Sequence, residues 1–161
     1  MQPWTKKYRP KNTEDLIGQA LATNKIRKDL STKKPLLLYG PTGTGKTSSI
    51  HALGKEKKLE VFELNSSDIR NKAALQSVMG SSIQQQSLFA KGKIILVDDI
   101  DALSGTKDRG GISTVVSLIK DSKHPIVLTC TDPWIKKLSG LRKKCNLVEF
   151  QRIKRDQIYE H

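Results

Sequence analysis

Apolar residues gather in five short runs, and the stretches between them carry helix or turn signals. The runs are Leu36-Leu37-Leu38-Tyr39, Val61-Phe62-Glu63-Leu64, Ile94-Ile95-Leu96-Val97, Ile126-Val127-Leu128-Thr129 and Leu147-Val148-Glu149-Phe150. Most show no polar alternation, which marks strands buried on both faces. In residues 19–30, Ala22, Ile26 and Leu30 recur at i, i+4 and i+8, predicting a helix that ends at the Ser31-Thr32-Lys33-Lys34-Pro35 break. Further helices are predicted from Lys46 to about Lys55, over 71–79 on Ala74, Leu75, Val78 and Met79, and over 112–120. The last has Ile112, Val115, Val116 and Ile119 on one face. Asp132-Pro133 reads as an N-cap with proline at the first helical position. Short apolar strands alternating with helices predict an α/β fold with a parallel five-stranded sheet flanked by helices. On such sheets ligands bind beyond the C-terminal ends of the strands.

The 161 residues suit one domain with a single sizeable core. No apolar run approaches 18 residues, so a membrane-spanning helix is not expected, and Met1-Gln2-Pro3-Trp4-Thr5-Lys6-Lys7 lacks the apolar stretch of a secretory signal. Cys130 and Cys145 have no metal-ligand spacing, which argues against a zinc site or disulfide framework and for a reducing compartment. Lys and Arg outnumber Asp and Glu by 29 to 16, a formal charge of +13. That excess favours a polyanionic partner such as nucleic acid, the other reading being a solvated, lysine-rich surface.

Gly40-Pro41-Thr42-Gly43-Thr44-Gly45-Lys46-Thr47 matches G-x-x-x-x-G-K-[ST] and sits between a predicted strand and a predicted helix. Its glycines let backbone N–H groups wrap phosphates at a helix N-terminus. Lys46 would reach the β- and γ-phosphates, and the Thr47 hydroxyl would ligate Mg²⁺. The run 94–97 ends in Asp98 and Asp99, the second half of a nucleoside triphosphate site. Asp98 would hold the Mg²⁺ shell, and Asp99 would orient or activate the attacking water. Thr131, after the fourth strand, would touch the γ-phosphate or that water, or else cap the helix expected near Pro133. Arg109, in Asp108-Arg109-Gly110-Gly111 at a helix start, is a candidate phosphate contact, as is Arg70. His51, His124 and His161 have no partner at metal or catalytic spacing. Gln85-x-x-Leu88-Phe89 faintly matches a clamp-docking peptide but reads better as an apolar helix end.

Together these blocks resemble one family, the AAA+ clamp loaders, and within it the large-subunit type of archaeal replication factor C. Trp4-Thr5-Lys6-Lys7-Tyr8-Arg9-Pro10 is similar to the family's W-x-x-K-Y-R-P box, and Asp15-Leu16-Ile17-Gly18-Gln19 to its adenine-side segment. Glu63-Leu64-Asn65-Ser66-Ser67-Asp68-Ile69-Arg70 resembles E-L-N-A-S-D-x-R, and Asp108-Arg109-Gly110-Gly111-Ile112 the D-R-G-G-I of large subunits. A start this close to the first box resembles the archaeal form. The resemblance implies a P-loop NTPase (AAA+) sheet and an adenine pocket lined by Tyr8, Arg9, Pro10, Ile17 and Gly18. It implies phosphate and Mg²⁺ binding by residues 40–47 with Ser48, and a DNA-backbone face at Arg70, Arg109, Gly110 and Gly111. It further implies ATP and Mg²⁺ as cofactors, and as partners four small subunits per large one, a sliding clamp and primer–template DNA, with no membrane. The expected location is the cytoplasm beside an archaeal nucleoid, or the nucleus in a eukaryote.

Departures from the family pattern bear on catalysis. The second motif is usually D-E, and Asp99 is one methylene shorter, so its carboxylate should fall about 1.5 Å short. A misplacement of that size costs of order 10²-fold in rate. Sensor 1 is usually Asn, and Thr131 takes its place; Lys143-Lys144-Cys145 stands where small subunits carry an S-R-C arginine finger. The family continues into a helical lid and a collar that Lys154 to His161 cannot hold. Residues 1–153 are thus expected as the nucleotide-binding domain and 154–161 as the start of a lid, cut short by truncation or by a divided gene. Three readings follow: a clamp-loader ATPase core, an ATP- and DNA-binding structural subunit without hydrolysis, or another AAA+ DNA motor such as a branch-migration helicase. The Tyr8-Arg9-Pro10 box and the Asp108-Arg109-Gly110-Gly111 block weigh against the third.

Overall fold

Five parallel strands, β1 (Leu36–Tyr39), β2 (Leu59–Leu64), β3 (Gly92–Val97), β4 (Ile126–Cys130) and β5 (Asn146–Glu149), form one sheet in the order β2-β3-β4-β1-β5. The structure is a computed structural model, and it describes residues 10–32, 34–65, 69, 92–104 and 110–159. Tyr8, Arg9, Arg70, Arg109, the helix expected over 71–79 and the Gln85-x-x-Leu88-Phe89 segment lie outside the described residues.

The uninterrupted apolar runs are explained by two cores, one on each face. Because side chains alternate along a strand, Leu37, Ile95, Val97, Ile126, Leu128 and Cys130 enter one core while Leu36, Leu38, Ile94, Leu96, Val127 and Val148 enter the other. Helix α1 (Ala20–Asp29) and helix α2 (Lys46–Lys57) cover the second face through Ala22, Ile26, Ile50 and Leu53. Helix α3 (Gly111–Asp121) covers the first through Val115 and Leu118, joined by Leu141 of α4 (Ser139–Lys144). The buried stripe of α3 runs through Gly111, Thr114, Val115 and Leu118. Ile112, Val116 and Ile119, expected on one face with Val115, are half-buried and pack against the same core.

No helix starts at Pro133. The Asp132 carboxylate accepts the Trp134 N–H at 2.8 Å, a local turn that diverts the chain. A 3-10 turn (Lys136–Leu138) follows before α4 begins at Ser139. Both cysteines are free and buried, and burial pushes each thiol up to about 12, which leaves them inert. Among the described residues no helix is long and apolar enough to cross a membrane.

The chain entering α1 is tied to the far end of α2 by Glu56. Its Oε1 accepts from the Thr13 N–H at 2.8 Å and hydroxyl at 2.6 Å, and its Oε2 accepts from Arg27 at 3.0 Å. Partial burial opposes ionisation of Glu56, but these donors overcome it and hold the carboxyl below its ordinary value. Glu56→Ala should cost about 2 kcal/mol at neutral pH, since it strands two Thr13 donors. The lowered carboxyl adds stability in full above its unfolded value of 4.5, and that share is lost as pH falls through the lower folded value. Denaturant unfolding of wild type and Glu56→Gln from pH 7 to 3 should show the gap closing at the acid end.

Gly40 ends β1 at φ 141°, and a Cβ there would fall on the Phe150 carbonyl oxygen. Gly43 has φ 77° but open space around it. Gly40→Ala should therefore destabilise the fold by about 3 kcal/mol from strain plus overpacking. Gly43→Ala should cost about 1 kcal/mol from backbone strain alone, as read by unfolding midpoints.

Candidate functional site

The loop leaving β1 and the acids leaving β3 lie at the same, C-terminal edge of the sheet, because all strands run parallel. Gly40, Gly43 and Gly45 all hold positive φ, which turns the chain back tightly and delivers it into α2 with Gly45 as the left-handed residue before Lys46. Thr44 stiffens the loop by donating its hydroxyl to the Pro41 carbonyl at 2.9 Å. Leu16 packs beside Gly45, so the 15–18 segment leans on the loop.

A cavity of about 320 Å³ opens above this edge, walled by Thr42, Gly43, Gly45, Lys46, Thr47, Ser48, Asp98, Asp99 and Thr129. Lys46 is buried, and its amine donates to the Gly40 carbonyl at 2.7 Å and the Pro41 carbonyl at 2.9 Å. Its charge is thus held at the loop by acceptors that an anionic ligand could replace. The Thr47 hydroxyl donates to Asp98 Oδ1 at 2.8 Å. With its one proton committed, the lone pairs of Thr47 Oγ1 are left for a cation. Asp98 Oδ1 accepts a second hydroxyl, from Thr129, at 2.6 Å.

Asp99 takes a left-handed backbone, φ 53°. Partial desolvation in the cavity wall, then the neighbouring Asp98 and Asp101 carboxylates, raise its carboxyl above the ordinary range, with Lys46 pulling the other way.

Most of the expected phosphate-side residues are therefore brought together: Thr42, Gly43, Gly45, Lys46, Thr47 and Ser48 with Asp98 and Asp99. Gly40, Pro41 and Thr44 shape the loop from behind. Thr131 is not in the cavity wall. Strand β4 runs one residue further than expected, and the Thr131 N–H is held at 2.7 Å by Asp101 Oδ2 on an exposed turn. The hydroxyl that reaches the acids belongs to Thr129, within β4 as expected but without an expected role at the site. Its signal was there: a lone polar residue ending an otherwise apolar, buried run.

Gly18, with φ 69°, lines a separate cavity of about 510 Å³ between the start of α1 and the edge of β5, where Gln157 packs against it. Pro10 and Ile17 are half-buried and wall neither cavity. Gly110 is exposed at the start of α3 with open space around it. Gly111 is buried, and a Cβ there would lie 3.1 Å from Leu103 Cδ2, so the glycine permits close packing at the start of α3.

Comparison with known proteins agrees with this geometry. Residues 36–148 match the family described as "ATPase family associated with various cellular activities (AAA)". The chain is 45% identical to the replication factor C large subunit of Thermofilum pendens, over 96% of this chain and 40% of that protein. It is 44% identical to the large subunit of Nanoarchaeum equitans over 95% and 37%, and 40% identical to that of Staphylothermus marinus over 94% and 37%. The chain thus spans about two fifths of the length of these relatives. A parallel five-stranded sheet, a glycine loop opening a helix, a strand-end acid bonded to the loop's threonine and a family match across all five strands lead to one conclusion: the chain belongs to the AAA family of ATPases.

Proposed function

We propose that this chain is the ATP-binding and ATP-hydrolysing core of a replication factor C large subunit, which helps load the sliding clamp PCNA onto primed DNA during replication. The observation that carries the reading is the single cavity in which Lys46, Thr47, Asp98 and Asp99 converge from two different strand ends. The AAA family match supports the ATPase class, and the printed names of the relatives support the clamp-loader role.

The residues present fit Mg²⁺ and a triphosphate. Thr47 has uncommitted lone pairs, and Asp98 keeps its second oxygen clear of both hydroxyl donors, as a hydrated cation requires. Mg²⁺, when bound, neutralises charge on the β- and γ-phosphates. The loop N–H groups from Thr42 to Ser48 cradle the phosphates at the start of α2, where the helix dipole favours negative charge. Lys46 leaves the Gly40 and Pro41 carbonyls for the terminal phosphates. Asp99 orients the attacking water and takes its proton as the phosphoryl group is transferred. Pro10, Ile17 and Gly18, with Tyr8 and Arg9, serve the adenine side; Arg70, Arg109 and the exposed Gly110 serve the DNA backbone, in keeping with the +13 charge. Residues 1–153 form the nucleotide-binding domain, and 154–161 open the lid with helix α5 (Arg155–Tyr159). One large and four small subunits make up the assembly, which works in the cytoplasm beside an archaeal nucleoid, or in the nucleus of a eukaryote.

A second reading, a nucleotide-gated structural subunit without hydrolysis, is favoured by one observation: the short acid at Asp99 with its raised carboxyl. ATP turnover in the assembled loader, with the small-subunit sites disabled, separates the two. Under the hydrolytic reading, clamp and primed DNA stimulate turnover, Lys46→Ala abolishes it, and Asp99→Glu changes it little. Under the structural reading, ATP binds without turnover and Asp99→Glu raises turnover strongly.

The raised carboxyl gives a pH signature. Asp99 accepts a proton only when ionised, so kcat/KM, which reports the free enzyme, should fall on acidification through a value above the ordinary carboxylate range. A kcat/KM profile with its acid limb at an unperturbed aspartate value would remove Asp99 as the base.

A further inference from the structure

Thr129 is 1% exposed and is bonded to both acids at once. Its hydroxyl donates to Asp98 Oδ1 at 2.6 Å and accepts the Asp99 backbone N–H at 3.0 Å. The direction of both bonds is forced. An ionised carboxylate only accepts and a backbone N–H only donates, so the one hydroxyl proton must point to Asp98 and a lone pair to Asp99. A hydroxyl meets both demands; a methyl group of the same size meets neither.

The need for such a clamp follows from what it holds. Asp99 has φ 53°, a region that aspartate enters more readily than most residues but still populates sparsely, so its neighbours help to hold it there. Its N–H bond to Thr129 is one such restraint. Aspartate has one bond fewer between backbone and carboxylate than glutamate, so a backbone shift at 99 passes straight to the carboxylate. The register explains why β4 supplies the restraint: Val97 pairs with Leu128, which sets Thr129 beside Asp98 at the strand end.

We propose that Thr129 is the positioning residue of the acid pair, fixing Asp98 and the Asp99 backbone in one geometry and thereby setting the rate of phosphoryl transfer to water. The proposal rests on the ATPase reading for its kinetic consequence but not for its structural one, and the two are tested apart. In the assembled loader, Thr129→Val should lower kcat about 100-fold, the cost of an ångström-scale misplacement, while nucleotide affinity stays within about threefold. Thr129→Ser keeps the hydroxyl and should restore most of the rate. In the full chain, hydrogen exchange at the Asp99 amide should be faster in Thr129→Val than in wild type, and unchanged in Thr129→Ser.

Wild-type turnover in Thr129→Val overturns the proposal, as does a serine variant as slow as the valine one. An equal loss of nucleotide affinity and of rate also overturns it, since that marks a general collapse of the site. If wild type binds ATP without turning it over, the hydrolytic reading fails on its own. Amide exchange then decides: an Asp99 N–H already unprotected in wild type, or unchanged in Thr129→Val, overturns the clamp, and a selective gain in exchange supports it. A melting temperature of Thr129→Val close to wild type guards against misreading a misfolded variant.

Discussion

In this sheet β4 lies between β1 and β3, and strands sit about 4.8 Å apart, so the glycine loop and the acidic strand end start roughly 10 Å from each other. Backbone pairing cannot close that gap; side chains must. Asp98 Oδ1 is where they meet, accepting one hydroxyl from the first turn of α2 and another from the end of β4. Three elements that are not consecutive in the chain are thereby locked at one oxygen. The glycine-loop and acidic halves of the cavity keep a fixed relation because of that junction. The two cores hold the strands themselves in place from either side.

The loop is braced from the other side as well. The Phe150 N–H donates to the Tyr39 carbonyl at 2.7 Å, extending the ladder past β5 to the point where Gly40 turns. Only a residue without a Cβ fits against the Phe150 carbonyl there. The loop therefore inherits its start from the β1–β5 pair and its end from α2. The edge strand β5 is guarded in turn, since Lys25 donates to the Leu147 carbonyl and Gln19 to that of Gln151. Both occupy acceptors that another chain would need to pair there.

What the sequence made legible, and what it hid, divides along physical lines. Residues 40–47 could be read because a glycine loop between strand and helix needs those residue types at that spacing, whatever surrounds it. The strands could be read because burial on both faces removes polar alternation. Thr129 was missed because its role depends on register: only the pairing of Val97 with Leu128 brings it to Asp98. The apolar face expected on α3 does pack against the core, with the fully buried stripe offset toward Gly111 and Thr114, which periodicity of apolar residues alone does not mark. At Pro133 a local Asx turn, with Asp132 holding the Trp134 N–H, won over a helix start of the same composition.

The left-handed backbone at position 99 also changes what its short side chain means. Judged by reach alone, aspartate in place of glutamate is a loss of about one methylene. Judged by backbone, it is a match, because aspartate enters the left-handed region several-fold more readily than residues with longer side chains. The residue and its φ of 53° are therefore one feature. A glutamate would extend the carboxylate but would sit less easily in the conformation that Thr129 and the β3 terminus impose. The reach lost with the shorter side chain is offset by a backbone that aspartate tolerates, which keeps its carboxylate in the cavity wall beside Asp98.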